Sequence, residues 1–312
     1  MDVTAGPLPI DVDLVRALLA EQHPDLAGLE LVRVAEGWDN SVFRLGADLT
    51  VRLPRRIEGA ALVEPEQRWL PGLVADLPSV DDGGLATSAT VRVGVAGCGF
   101  PWPWSIGPWL PGDIAARARI EDPSEAARRL GRFLAGFHRA APEGAPPNPH
   151  RGVPLVDRSP MLDAALDRIE QQGRDLGPGI ERSMVQHRWD ELVVTPPWTG
   201  PPLWIHGDLH LANLLVDQGR LTAVIDFGDL TSGDPAPDLA VAWPFLHADA
   251  HGAFREAAGR AAVWAGEGID DDTWRRGEAW ALGFAVAYLG GSMTTSPLVD
   301  VARRALAVLL PR

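Results

Sequence analysis

Lysine is missing from this 312-residue chain, and all 28 of its basic residues are arginine. Abundant Ala, Arg, Gly and Pro trace that bias to GC-rich codons, yet it has a chemical consequence. Wherever a site would use an ammonium group, this protein must use another donor, and arginine differs in reach and geometry. Cysteine is nearly missing too. The single Cys98 excludes an internal disulfide framework and a cysteine-built zinc site. No apolar run reaches the roughly 18 residues of a membrane span. The opening stretch MDVTAGPLPIDVDLV lacks the basic and long apolar regions of a secretory signal, which makes the cytoplasm the expected compartment.

Positive charge is scarce as a whole. Forty-two acidic residues against 28 basic ones leave a formal net charge of −14. That balance argues against nucleic-acid binding and favours cationic or neutral partners. A length of 312 residues with 46% hydrophobic content fits a globular protein of one large or two modest domains. The expected partner is a small hydroxylated molecule, with no nucleic acid and no membrane, and the expected assembly is a monomer or weak homodimer.

Val12, Val15, Leu18 and Leu19 fall at helical spacing within residues 11–22, behind an acidic first turn. Residues 29–35, 42–45 and 49–53 read as three strands of a β-meander, separated by turns rich in Gly, Asp, Asn and Ser. Residues 58–70 read as a helix that Pro71-Gly72 stops. Further strands are expected near 90–95 and 104–106, and the segment CGFPWPWSIGPWLPGD, dense in Trp, Pro and Gly, reads as a stiff linker. Beyond it strand signals thin out. Residues 124–139 form a helix pattern, with Pro123 ahead of it and Ala127, Leu130, Phe133, Leu134 and Phe137 in one apolar stripe. Helices are expected near 160–172, 179–193, 252–266, 272–289 and 298–310, with a Pro-rich loop at 142–154.

The densest chemical signal is IHGDLHLANLL at 205–215, followed by Asp226-Phe227-Gly228. It places Asp208, Asn213 and Asp226 at the spacing that kinase-type phosphoryl transfer requires. An Asp beside the reacting hydroxyl accepts its proton, while an Asn five residues on and a second Asp at the next strand turn hold Mg²⁺ against nucleotide phosphates. Either motif alone is a weak signal; both in order are a joint match.

At these residues, and at GWDNSVFRL, VRLPRR, PWLPGD and VIDFGDLTSGDPAPDLA, the chain resembles the aminoglycoside phosphotransferases and related small-molecule kinases. The resemblance covers nearly the whole sequence. It implies an α+β, protein-kinase-like two-lobe fold with a small β-rich N-lobe and a larger, mainly helical C-lobe. Residues 1–107 would be the nucleotide-binding lobe, 108–112 the hinge and 113–312 the catalytic and acceptor lobe. Asp208 is implied as catalytic base, Asn213 and Asp226 as Mg²⁺ ligands, and Asp238 as the brace of the catalytic loop through backbone N–H bonds. His206 is expected to hold that loop. His210 occupies the slot where many kinases carry a phosphate-contacting lysine; it reads either as a phosphate donor or as a solvent-facing loop histidine.

Arg52 aligns with the kinase strand lysine that contacts the α- and β-phosphates, a departure in residue type. Glu66 is its expected ion-pair partner, with Glu64 as the alternative. The turn from Gly37 to Ser41 resembles the phosphate-covering loop without its glycines, so Asn40 and Ser41 are expected phosphate contacts. Gly107-Pro108-Trp109-Leu110 resembles the adenine hinge, with the Pro108 carbonyl and Leu110 N–H toward the purine.

For the acceptor, the candidates are Asp229, Glu267, Asp271 and Trp280. The acidic run at 270–272 also reads as an ordinary helix start, where acids suit the dipole, and most of the 12 tryptophans as core. The resemblance implies a Mg²⁺-dependent O-phosphotransferase using ATP or GTP on an antibiotic-like hydroxyl, aminoglycoside first, with antibiotic resistance as the inherited role. A macrolide or metabolic kinase on the same fold is the alternative. A catalytically silent nucleotide-binding protein is a further one, against which the complete Asp208, Asn213 and Asp226 set argues.

Overall fold

Alternation along residues 40–45 decides which way the first sheet faces. In the computed structural model, which describes residues 8–37, 39–246, 248–264, 266–291 and 297–310, Ser41, Phe43 and Leu45 are buried while their neighbours are half-exposed. Trp38 of the expected phosphate-covering turn and the first seven residues lie outside the described residues. The chain divides into two compact units: Met1–Asp76, Thr87–Pro111 and Asp226–Gly228 form one, and Leu77–Ala86, Gly112–Ile225 and Asp229–Arg312 the other.

In the first unit, α1 (Val12–Gln22) is capped by the Asp11 carboxylate, which accepts the Leu14 N–H at 2.8 Å, and buries Val15, Leu18 and Leu19. Strands β1 (Leu31–Glu36), β2 (Asn40–Leu45) and β3 (Leu49–Pro54) pair antiparallel, and α2 (Ile57–Val74) follows. After the two-residue β4 (Ala86–Thr87) come β5 (Arg92–Gly94) and β6 (Trp104–Pro108), giving the sheet order β1-β2-β3-β6-β5. Two expectations change here. The strand expected at 104–106 is present and runs to Pro108, so that part of the aromatic segment is not a linker but an interior strand, paired on both sides with β3 and β5. Its Trp104 is fully buried and lies over Gly94, where an added Cβ would come within 1.9 Å of the indole. Pro71 does not end α2 either. A proline removes one backbone bond, and Leu70 and Leu73, both buried on either side of it, offset that loss.

The second unit holds β7 (Asp113–Ile114), α3 (Pro123–Phe137), α4 (Ser159–Gln171), α5 (Arg182–Val193), β8 (Leu203–Ile205), β9 (Leu214–Asp217), β10 (Arg220–Val224) and β11 (Thr231–Gly233). Then come the single turns α6 (Ala236–Leu239) and α7 (Ala242–Phe245), and the longer α8 (Ala248–Ala258), α9 (Asp271–Gly290) and α10 (Pro297–Leu309). Strands are therefore more numerous here than the sequence pattern suggests. They are short: β9 and β10 form a hairpin across Gln218 and Gly219, both at positive φ (46° and 76°) as a tight primed turn requires. The helix expected over 252–266 stops at Ala258 and tightens into i→i+3 turns, Arg260 N–H to the Ala257 carbonyl and Ala261 N–H to the Ala258 carbonyl, followed by a 3-10 turn at Ala262–Trp264. Gly131 of α3 permits close packing on α8; a Cβ there would lie 2.6 Å from that of Ala257. β8 and β11 pair, Ile205 opposite Thr231, and the loop 206–213 runs between β8 and β9.

Candidate active site

The loop at 206–213 is locked from beneath by a buried carboxylate. Asp238, with no exposed side-chain surface, accepts the His206 N–H at 2.8 Å and the Gly207 N–H at 2.9 Å, and lies 3.0 Å from His138 Nε2. Gly207 stands at φ 82°, and a side chain there would press within 2.5 Å of the Asp229 carbonyl. His206 is buried, with Nε2 at 3.0 Å from the Ile225 carbonyl and Nδ1 accepting the Asp208 N–H at 3.3 Å. Asn213 closes the loop by donating Nδ2 to the Asp208 carbonyl at 2.9 Å.

These bonds present the Asp208 carboxylate at the loop's apex. Its Oδ1 receives Arg151 Nη2 at 3.0 Å and its Oδ2 lies 3.3 Å from His210 Nε2. Burial alone would raise its pKa, but His210, then Arg151 and His206, outweigh it and hold the carboxyl well below the usual carboxylate range. His210 does not stand in solvent. Its Nδ1 accepts the Ala212 N–H at 3.2 Å and its ring meets Tyr288 edge-on at 5.5 Å, so Nε2 is the N–H that faces Asp208.

Arg151 is a residue the sequence reading did not reach. It spans Asp208 and Asp229, at 3.0 and 3.3 Å, with its guanidinium 5.2 Å from the centre of the Phe284 ring. Burial would lower its pKa, but Asp208 and Asp229 more than compensate and raise it. Asn148 donates to the other oxygen of Asp229 at 2.7 Å. Tyr288 is carried well above the ordinary phenol range, by burial first and then by the charge of Asp208. Arg151 and Asn148 come from the Pro-rich loop, whose only available signal was an isolated arginine in a segment otherwise poor in charge.

In the first unit, Asn40, Arg52, Glu66, Ser105 and Asp226 wall a polar pocket. Arg52 pairs with Glu66 at 2.8 Å and Asp226 at 3.3 Å. Burial works against the Arg52 charge, and the two carboxylates overcome it and raise its pKa. Asp226 adopts φ 63°, a left-handed conformation that aspartate tolerates better than most residues, and its N–H donates to the Ser88 hydroxyl at 3.3 Å. Ser41 departs from expectation. Val42 is the register partner of Arg52, so Asn40 shares the Arg52 face, while Ser41, 1% exposed, points to the opposite, core side. The Pro108 carbonyl accepts the Thr50 hydroxyl at 2.7 Å, and Leu110 is half-buried at the end of this unit's chain segment.

The four acceptor candidates are not gathered. Asp229 adjoins Asp208 through Arg151. Trp280 is buried, 2% exposed. Asp271 lies in the first turn of α9, paired with Arg255 at 2.6 Å, and nine residues of helix, about 13 Å, separate it from Trp280. Glu267 is exposed in the preceding loop, and Asp270 caps α9 by accepting the Thr273 N–H at 2.7 Å. Glu267 and Asp271 are therefore features of a helix entrance rather than members of a pocket with Trp280.

Asn213 and Asp226 offer the oxygen donors a hard divalent cation prefers. Asn213 donates its amide nitrogen to the Asp208 carbonyl and carries an amide oxygen besides, and Asp226, about half exposed, meets Arg52 through Oδ1. Both residues fit a Mg²⁺ role.

The comparisons with known proteins agree with this architecture. The model of the phosphotransferase enzyme family matches residues 30–280. The homoserine kinase of Phenylobacterium zucineum (strain HLK1) is 29% identical over 247 residues, covering 76% of this chain and 70% of that protein. The aminoglycoside 3′-phosphotransferase of Salmonella typhimurium is 28% identical over 147 residues, 46% of this chain and 52% of that protein, so this match spans about half the relative's length. The GDP complex of wild-type aminoglycoside 2′-phosphotransferase-IIIa superposes with a TM-score of 0.65 at 19% identity, covering 95% of this chain and 97% of the other. Macrolide 2′-phosphotransferase MphH from Brachybacterium faecium gives 0.59 at 22% identity, covering 97% and 99%. These solved structures share the α+β, protein-kinase-like fold. Matched from residue 30 to residue 280, the chain belongs to the phosphotransferase enzyme family and is a phosphotransferase with an alcohol group as acceptor.

Proposed function

We propose that the chain moves the γ-phosphoryl group of ATP or GTP to the hydroxyl of a small molecule, with Mg²⁺ bound through Asn213 and Asp226. The observation that carries this reading is Asp208: a carboxylate kept ionised by Arg151 and His210 on a loop pinned by Asp238. Such a group orients an acceptor hydroxyl and takes its proton late in a loose phosphoryl-transfer transition state. Arg52, held by Glu66, supplies a fixed cation for nucleotide phosphates in place of a lysine. Mg²⁺, when bound, neutralises phosphate charge. Asp238 and His206 set the loop's geometry and do not touch substrate in this scheme.

The acceptor is better read as a small metabolic alcohol than as an aminoglycoside. The homoserine kinase match covers more of both chains than the aminoglycoside kinase match, and the acids expected to attract a polycation do not form a site. The test is nucleoside-diphosphate release from ATP or GTP with Mg²⁺ over a panel of small alcohols, aminoglycosides and macrolides. Asp208→Ala should lower acceptor-stimulated turnover by about 10²–10⁴-fold and leave nucleotide binding in place. Wild-type turnover in that variant removes Asp208 as the base, and no acceptor-stimulated turnover in wild type returns the chain to a silent nucleotide binder.

A further inference from the structure

The second unit contains a pocket of about 220 Å³ whose charge is opposite to that of the protein around it. Its walls come from the turn before α4 (Arg158), from α4 (Leu162, Arg168), from α5 (Trp189) and from α9 (Trp280). Among the described residues no carboxylate lines it, in a chain whose net charge is −14. Arg158 is one of two buried arginines that make no ion pair among the described residues; the other, Arg129, donates to the Val80 and Gly84 carbonyls. The residue surface of Arg158 is 9% exposed, and among the described residues it has no carboxylate within ion-pair distance. Its Nη1 donates instead to Met161 Sδ at 2.6 Å, and the guanidinium lies 5.0 Å from the centre of the Trp280 ring. A nearly buried cation without an anion is costly, so proteins ordinarily pair it. Arg151, Arg52 and Arg276 are all paired here. Burial, then the like charge of Arg151, push the Arg158 guanidinium down to about 10, Asp229 offsetting only part of this, and it stays a cation at neutral pH.

One chain of packed side chains stands between the pocket and the reacting carboxylate. Trp280 meets Phe284 at 5.4 Å, Arg151 lies over Phe284 at 5.2 Å, and Arg151 reaches Asp208 at 3.0 Å. The pocket's volume falls below the roughly 300–1,000 Å³ of clefts that take drug-sized ligands, which suits a small acceptor rather than a macrolactone.

We propose that this pocket seats the non-reacting end of an anionic acceptor, a hydroxylated carboxylate with an apolar body, whose carboxylate pairs with Arg158 while its body packs on Trp280, Trp189 and Leu162. The assignment deepens the phosphotransferase reading by naming the acceptor class, and it rests on that reading for the role of Asp208. Arg158 and Arg168 together repel a polycation from this pocket.

Calorimetric titration with three matched probes tests it: 3-phenyllactate (anion), 3-phenylpropane-1,2-diol (neutral) and phenylalaninol (cation). Wild type should bind the anion about tenfold or more tightly than the other two, the scale of one charge-assisted contact. Arg158→Gln should erase that preference and Arg158→Lys should keep part of it. The wild-type ranking needs no variant, so a misfolded substitution leaves the proposal exposed to refutation. Equal binding of all three, binding of none, or an unchanged ranking in a folded Arg158→Gln overturns it. Binding is read in Asp208→Ala as well. Retained anion binding with no transfer in wild type would sink the kinase reading alone, while transfer to cationic alcohols with no anion preference would sink this one alone.

Discussion

In the first unit Arg52 lies between Glu66 and Asp226, at 2.8 and 3.3 Å; in the second Arg151 lies between Asp208 and Asp229, at 3.0 and 3.3 Å. Both guanidiniums bridge two carboxylates, and both stay charged because that pairing outweighs burial. The surroundings differ. Arg52 projects from the interior strand β3, whose register fixes its direction, and its partner Glu66 sits on α2 fourteen residues on. Arg151 projects from a loop and is steadied by the Phe284 ring and by the Asn148 bond to Asp229. A planar fork with several donors spans two acids in a way one ammonium does less well. In a chain without lysine, arginine thus forms both bridges; under the proposed function the first faces nucleotide phosphates and the second clamps the reacting carboxylate.

The comparison breaks most severely at the Asp238 brace of the second unit. Asp238→Ala leaves the His206 and Gly207 N–H groups and His138 without their shared acceptor, at about 1–3 kcal/mol for each orphaned group. Thermal unfolding should show several kcal/mol of lost stability, and turnover should fall with it. A fully active, equally stable variant would mean that the loop holds its shape without Asp238.

The two bridging arginines should separate by kinetic parameter. Arg52→Met should raise the nucleotide KM about tenfold or more, the scale of a lost charge-assisted contact, with a smaller effect on acidic-range behaviour. Arg151→Met should act on Asp208. With one cation gone the Asp208 pKa rises toward the ordinary carboxylate value of about 4. A lowered carboxylate pKa stabilises the folded protein above the unfolded value and loses that contribution as pH falls through the folded one. Wild-type kcat/KM should therefore carry no Asp208 limb until well below the usual carboxylate range, and in Arg151→Met the acid limb should move to higher pH. If Arg151→Met altered only the nucleotide KM, the division of labour between the two arginines would be wrong.

Legibility followed the same division. Asp208, Asn213 and Asp226 sit in short motifs at fixed spacing, and Arg52 sits in a strand with clear alternation, so local sequence points at each. The motifs also carried the family and the α+β fold. Arg151 contacts Asp208 across 57 residues and lies among prolines with no period, so only tertiary structure places it. Strands such as Leu203–Ile205, three consecutive apolar residues, are too short to show a period of two. Ser41 was misplaced by one step of the pleat: a hydroxyl beside a turn looks available until the register with β3 turns it inward.

The smallest effect is expected at the third arginine near this site. Arg151 and Arg158 are neighbours of like charge, one paired with two acids and the other with none. Truncating a paired buried charge strands its partners, whereas removing Arg158 relieves desolvation and forfeits the bond to Met161 Sδ and a cation–π contact of about 0.5–2 kcal/mol. Arg158→Leu should therefore change unfolding free energy by no more than about 1 kcal/mol in either direction, while Arg151→Leu should cost clearly more. Chemical denaturation of the two variants side by side measures the difference. A large loss at Arg158 equal to that at Arg151 would show that the fold itself uses the charge, and the contrast between a clamp and a vacant cation would disappear.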